Sequence, residues 1–329
     1  MQNTNFSVLS NYGEDLTYKT YLTDPSISRD EELKKLMMVL LTPEKSGLLV
    51  GKAGVGKTSI VEGLAYRILT KTVPNVLQGY RVIKINSSSL IGKININGRE
   101  ELVVTLLVEE LKNVTKTILF IDEIHTLIGN KETSMDLANI LKPAIDRGAI
   151  KLIGATTDEE YNAYIIKDRA FLRRFERIDV LEPSEATTVE ILFKSLPKIE
   201  YSTGIKFKYN DYVTKMLLES IVSATSEYKR VYGLGAMYPD IAFSVLTAAF
   251  SQALFQNRQF VTVEDVYNAI KGSKRIYPDS IVRELAAFKL KFKDVIAAEG
   301  VILPDVKVED ISSPEGMIWW KRNIIILYT

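Results

Sequence analysis

The chain has no cysteine and a single histidine, His125. The first absence excludes a disulfide framework, a thiolate nucleophile and cysteine-based zinc sites; the second excludes a multi-histidine metal centre. No charge predominates either: 42 Lys and Arg face 41 Asp and Glu, and a net charge of +1 gives no field of the kind that holds proteins on a phosphate backbone. No window approaches the roughly 18 uninterrupted apolar residues of a membrane helix. The opening Met1-Gln2-Asn3-Thr4-Asn5 lacks the basic and then apolar pattern of a signal peptide. These absences predict a cytoplasmic, soluble protein that binds neither nucleic acid nor membrane.

What remains is globular. The 329 residues suffice for about two domains at roughly 150 residues each, and a 46% hydrophobic fraction rules out a disordered tail. Residues 1–29 form a polar, turn-rich N-terminal segment. Leu33, Leu36, Met37, Leu40 and Leu41 then recur at helical spacing, which predicts a helix from Arg29 to Leu41, stopped by Pro43. From Gly47 onward short apolar runs, at 48–50, 82–85, 118–121, 151–153 and 178–180, are separated by helix-length segments. This alternation predicts an α/β domain over 30–183, a parallel sheet with helices on both faces. Beyond Pro183 the strand signal fades. Helical stretches at 185–196, 211–228, 239–256 and 262–271 predict a smaller all-helical domain over 184–275, with Thr262 and Asp265 spaced as a capping box. A last helix from Ser280 to Ala298 opens a C-terminal segment, 276–329, whose Trp319-Trp320 and Ile324 to Leu327 either cover the core or dock a partner.

Four elements carry chemistry. Gly51-Lys52-Ala53-Gly54-Val55-Gly56-Lys57-Thr58 matches GxxxxGK[ST] and lies between an apolar strand and an apparent helix, Ile60 to Leu69. In that context glycines let backbone amides and the helix N-terminus face a phosphate, Lys57 supplies a point charge, and Thr58 can ligate magnesium. Ile118-Leu119-Phe120-Ile121 ends in two acids. Asp122 at the strand end can hold magnesium while Glu123, pointing the other way, polarises a water; alternatively the pair caps the following helix. Gly154-Ala155-Thr156-Thr157 closes another apolar strand, and a hydroxyl there either reaches the γ-phosphate or serves as an N-cap. Phe171-Leu172-Arg173-Arg174-Phe175 sets two arginines between aromatics. Consecutive helical side chains diverge by about 100°, so one guanidinium can reach a phosphate while the other serves local structure, or both are solvated. His125, without a second metal-ligating imidazole or thiol, is expected to be structural.

In this order and spacing the four elements resemble the AAA+ ATPases, and more closely the first ATPase module of the Clp unfoldase and disaggregase family. The resemblance is carried by Tyr12 to Thr17, Ser28 to Glu32, Gly51 to Ala65, Ile118 to His125, Leu141-Lys142-Pro143-Ala144, Arg147-Gly148, Gly154 to Thr157 and Arg173-Arg174-Phe175, and covers roughly residues 10–295. It implies a P-loop NTPase sheet followed by an all-helical lid. Gly51 to Thr58, with Ser59, look like Walker A, Asp122 and Glu123 like Walker B with Glu123 as base, and Thr157 like sensor 1. Arg173 and Arg174 look like arginine fingers entering a neighbour's site. Ile27, within Pro25 to Arg29, would lie near the adenine. The cofactors implied are ATP and Mg2+, with Thr58 and Asp122 on the metal. A finger acting in trans implies a homo-oligomer, a six-subunit ring.

The sequence also departs from the family pattern. No substrate-receiving domain precedes residue 10, no coiled-coil insertion interrupts the helical domain, and no second module follows residue 300, so a single-module form is expected. Ile96, within Lys93 to Glu100, stands where the family's pore loop carries a tyrosine. Pro239-Asp240-Ile241-Ala242-Phe243-Ser244 lacks the lysine and second aspartate of the family's lid motif. A protease partner is unsupported. The expected function is ATP-driven remodelling of a protein substrate by a nucleotide-dependent ring, the alternative an ATP-switched assembly or adaptor protein that threads nothing.

Overall fold

The computed structural model describes residues 7–96, 98–128, 151–232 and 237–311. The chain divides into two compact units. The first comprises Met1–Lys52 and Gly56–Leu181, the second Ala53–Val55 and Glu182–Thr329.

The first unit is built on a six-stranded sheet of β1 (Gly13–Asp15), β2 (Ser46–Val50), β3 (Arg81–Asn86), β6 (Thr117–Asp122), β7 (Lys151–Thr156) and β8 (Phe175–Asp179), in the order β1-β3-β6-β7-β2-β8. Every pairing is parallel except that of β1, which lies antiparallel on the edge with Gly13 opposite Ile85. The five apolar runs become the five parallel strands; the polar N-terminal segment supplies the sixth.

Helices cover both faces, as the alternation predicted. Leu48, Val50, Ile83, Ile85, Leu119, Ile121 and Leu152, alternate residues of their strands, share one core with Val104, Leu107 and Leu111 of α5 (Val103–Leu111). On the opposite face lie α2 (Asp30–Leu41), with Leu33, Leu36 and Leu40 buried, and α3 (Lys57–Leu69), with Ile60 and Leu64 buried. β7 sits between the strand entering the glycine-rich loop and the strand ending in the paired acids. All three therefore end on the same edge, where the candidate residues gather. Lys93–Ile96 and Arg99–Leu102, β4 and β5, form a separate antiparallel hairpin closed by Gly98 N donating to Asn95 Oδ1 at 2.9 Å, with Ile96 next to the turn and half-buried.

The second unit is helical: α6 (Glu185–Thr203), α7 (Asp211–Ala224), α8 (Asp240–Phe255), α9 (Val263–Lys271), α10 (Pro278–Lys291) and α11 (Lys293–Glu299), with a two-residue parallel ladder of Lys206–Phe207 and Phe260–Val261. Its core joins Leu192, Leu217, Leu246, Val266, Leu285 and Phe288. The stretch from Ser280 to Ala298 is two helices, because Phe292 leaves the helical path to bury itself against Phe288 at a ring-centroid distance of 4.5 Å. Trp319-Trp320 and Ile324 to Leu327 lie outside the described residues, as do Leu141 to Ala144 and Arg147-Gly148.

The capping box at Thr262 and Asp265 is formed. Asp265, 1% exposed, accepts from the Thr262 amide at 2.8 Å, from the Thr262 hydroxyl at 2.9 Å and from the Arg258 guanidinium at 2.8 Å. Removing that carboxylate strips a helix cap and leaves a charged partner unpaired. Asp265→Ala is therefore expected to lower unfolding stability by about 2–4 kcal/mol, measured by urea titration, whereas a loss below about 0.5 kcal/mol would contradict the assignment.

Candidate nucleotide-binding and hydrolysis site

The strand β2 is buried throughout and delivers the chain at Gly51 to the loop that opens α3. Gly56 precedes the helix with φ of 98°, a left-handed conformation that an L side chain rarely adopts, and this lets the loop turn its amides inward. The N-cap residue of this 13-residue helix, Gly56, has no side chain with which to cap it. Its first amides and positive dipole end are thus offered to an anion.

Lys57 folds over the loop, its Nζ donating to Gly51 O at 2.7 Å and Lys52 O at 3.0 Å. Burial pulls its ammonium below the ordinary lysine value, against the opposite pull of Asp122, Glu160, Asp158 and Glu123. Thr58 Oγ1 donates to Asp122 Oδ2 at 3.1 Å, which brings the hydroxyl and carboxylate expected to share a metal into contact. Lys84 Nζ lies 3.6 Å from the same carboxylate oxygen, a neighbour that the sequence did not reveal.

Glu123 is exposed and adopts the left-handed region at φ of 52°. It occupies the N-cap position of the short helical turn Ile124–Leu127 without a side-chain cap bond. Its carboxylate is therefore not used as a cap and faces a cleft of about 440 Å³ lined by Asn86, Ser87, Ile91, Asp122 and Thr126 among others.

At the end of β7 the two threonines differ. Thr156 is buried, and its hydroxyl donates to Glu160 Oε2 at 3.3 Å. Thr157 caps the following turn: its Oγ1 accepts from Glu160 N at 3.3 Å, and its own amide donates to Glu160 Oε2 at 3.0 Å. The N-cap alternative is thus the one its oxygen occupies, a T-x-x-E box legible in the spacing of Thr157 and Glu160. His125 Nδ1 lies 3.0 Å from Glu160 Oε2, and its ring stacks on Tyr164. The histidine thereby ties the turn after Glu123 to the end of β7.

Burial pushes the Glu160 carboxyl upward, but hydrogen bonds from Thr157, attraction to His125 and the Thr156 hydroxyl outweigh it and hold the group below its ordinary value near 4.5. A carboxylate depressed in the folded state stabilises fully above its unfolded value and loses that contribution as pH falls through the folded value. Melting temperature is expected to drop below about pH 4.5 more steeply in wild type than in Glu160→Gln, as differential scanning fluorimetry would show; parallel profiles would refute it.

Arg173 is exposed, with no side-chain ion pair among the described residues, while Arg174 is half-buried and has a partner. The flanking Phe171 and Phe175 are buried and stacked at 4.0 Å, pinching the turn outward. Its backbone is held by Ser46 N donating to Arg174 O at 2.8 Å and Lys45 Nζ to Arg173 O at 2.9 Å. Ile27 is half-buried beside the buried Ser26, which packs so closely on α3 that a Cβ added at Gly63 would sit 2.2 Å from the Ser26 Cβ. The segment proposed for adenine is thereby seated on the helix that begins at Lys57. In the second unit Asp240 opens α8 and pairs with Arg275 at 3.3 Å.

These donors fit magnesium-bound ATP. Uncapped amides and Lys57 suit the phosphates, and one hydroxyl with one carboxylate is the sparse ligand set that magnesium takes when phosphates complete its shell. Among the described residues no group of three or more His, Asp or Glu is arranged to hold a metal, and no helix is long and apolar enough to cross a membrane.

The comparisons agree with this architecture. Residues 47–182 match the family model of the ATPase family associated with various cellular activities (AAA). The chain is 42% identical over 257 residues to the chaperone protein ClpB of Helicobacter hepaticus, covering 77% of this chain and 29% of that protein. It is 38% identical over 284 residues to the Clp protease ATP-binding subunit ClpL of Staphylococcus aureus, covering 83% and 39%. Among solved structures, Hsp104 with ATPγS and FITC-casein superposes with a TM-score of 0.68 at 29% identity, covering 91% of this chain and 54% of that one. The sheet and site thus define an AAA+ ATPase module. Over 77% of its length the chain is similar to ClpB proteins, and it spans about 29% of the length of those relatives.

Proposed function

We propose that this protein hydrolyses ATP with magnesium in a site completed by a second copy, and that a ring of copies, six by the family resemblance, uses the cycle to remodel a protein substrate. The observation that carries the reading is the contact of Thr58 with Asp122 at 3.1 Å beside an uncapped helix N-terminus, with Glu123 free to act on water. The uncapped amides and Lys57 bind the phosphates. Thr58 and Asp122 hold the metal, which, when bound, neutralises charge on the outer phosphates. Glu123 takes the proton from the attacking water, and its exposure in the cleft gives that water access. Thr157 still has a hydroxyl proton to donate toward the γ-phosphate while its oxygen serves as cap. Arg173, exposed on its pinched turn, is the better of the two candidates for reaching a neighbour's site, and Arg174 the better for holding the turn. Protein remodelling draws support from the ClpB chaperones and from Hsp104 solved with casein.

A mixing experiment tests the shared site. Arg173→Ala is expected to lower turnover by about 10³-fold, the scale of a finger's contribution, with ATPγS affinity within about threefold of wild type. Mixed with equimolar Glu123→Gln, it should regain a substantial fraction of activity, since each variant supplies what the other lacks. Absence of recovery would refute action in trans. The adaptor reading is favoured by one observation, the aliphatic Ile96 beside the turn of the β4–β5 hairpin. ATP-dependent unfolding of a fluorescent substrate would decide for the motor, and ATP-dependent partner binding without unfolding for the adaptor.

A further inference from the structure

A lysine stands in an otherwise apolar layer of the central sheet. On β3, Val82 and Lys84 share one face, in register with Ile118 and Phe120 of β6, and the other three of these side chains are fully buried. Lys84 runs beside the Phe120 ring, its Nζ 5.9 Å from the ring centroid, and brings the ammonium to 3.6 Å from Asp122 Oδ2, with only 24% of its side chain exposed. A lysine so placed is costly unless its stem covers apolar surface and its charge finds a partner. Asp122 is its one ion-pair partner among the described residues. The carboxylate oxygen facing it is the one that accepts the Thr58 hydroxyl. The metal-holding corner therefore already contains a fixed positive charge, in addition to Lys57.

We propose that Lys84 is a built-in counter-ion of the nucleotide site, supplying part of the positive charge that a divalent ion would otherwise bring and so lowering the magnesium dependence of nucleotide binding. The inference rests on the nucleotide reading above. Two electrostatic effects act in the same direction. The ammonium offsets the Asp122 charge that attracts the metal and repels the metal itself, which weakens the gain from magnesium. It also attracts the polyphosphate when no metal is present, which strengthens binding without magnesium.

The test is calorimetric titration of the full chain with ATPγS, once in EDTA and once in millimolar Mg2+, for wild type, Lys84→Met and Lys84→Arg. The quantity read is the ratio of Kd in EDTA to Kd in Mg2+. Lys84→Met is expected to raise it about 5–10-fold, and Lys84→Arg, which keeps the charge, to leave it within about twofold of wild type. Should Lys84→Met melt early, Lys84→Gln takes its place with the same expected rise. An unchanged or smaller ratio in the neutral variant overturns the proposal, as does an equal rise in Lys84→Arg, which would trace the effect to shape. Wild type binding nucleotide in neither buffer would instead remove the nucleotide reading itself, an outcome distinct from binding with a ratio insensitive to Lys84.

Discussion

Replacing Glu123 with glutamine is expected to lower steady-state ATP hydrolysis by about 10²–10⁴-fold while leaving ATPγS affinity within about threefold. The separation follows from where the residue stands. Glu123 contributes no cap bond, and its carboxylate is exposed to the cleft rather than engaged with the loop around Lys57. Glutamine is nearly isosteric and keeps the same backbone preferences, so the left-handed conformation at φ of 52° is no more strained than before. What disappears is the capacity to accept a proton. A phosphate-release assay beside a binding titration would check it. A variant that hydrolyses at the wild-type rate removes Glu123 as base, and one that no longer binds shows that the residue supports the loop instead.

The second large effect is expected at Lys57. Lys57→Ala should weaken ATPγS binding by at least about 100-fold, the scale seen when one member of a buried charged contact is removed. Among the described residues its ammonium bonds only to carbonyls of its own loop, Gly51 and Lys52, and burial already disfavours its charged form. In the free protein it therefore holds together little besides that loop. The melting temperature without nucleotide is expected to stay within about 2 °C of wild type, and the stabilisation by added ATPγS to vanish. A variant that keeps wild-type nucleotide affinity would show that the loop amides suffice.

Much of this site was legible because its signals are local. Five apolar runs became five parallel strands because burial on both faces requires continuous apolar sequence. The loop from Gly51 to Thr58 is marked by its spacing together with the apolar strand before it and the helix after it. The first strand has no signature in the sequence because Gly13-Glu14-Asp15 carries no apolar pattern; it is held by edge pairing with β3, a relation between distant segments. The helix expected to end at Leu196 continues to Thr203 through Pro197, since Leu196 and Ile199 pack on the core of the second unit and Gly204 at φ of 72° provides the actual stop. Propensity lost to packing there. Lys84 was invisible for a related reason. A charged residue within a short strand reads as solvent-facing, and only the register of β3 on β6 shows that it lies in an apolar layer and points along it to Asp122. The expectation that His125 is structural came from the absence of a second ligand, whereas its partner Glu160, 35 positions away, is set by the fold.

The backbone bonds at the start of β2 have a mechanical consequence. Ser46 grips the carbonyl of Arg174, and five residues later the same strand enters the phosphate loop at Gly51. At about 3.3 Å per residue the strand is a strut of roughly 17 Å, stiffened by neighbours on both sides. In the proposed ring, one end would sense the molecule's own nucleotide and the other would carry the guanidinium offered to the next copy. Around a closed ring such struts would all be oriented head to tail, so a displacement begun at one site would travel with a fixed sense of rotation.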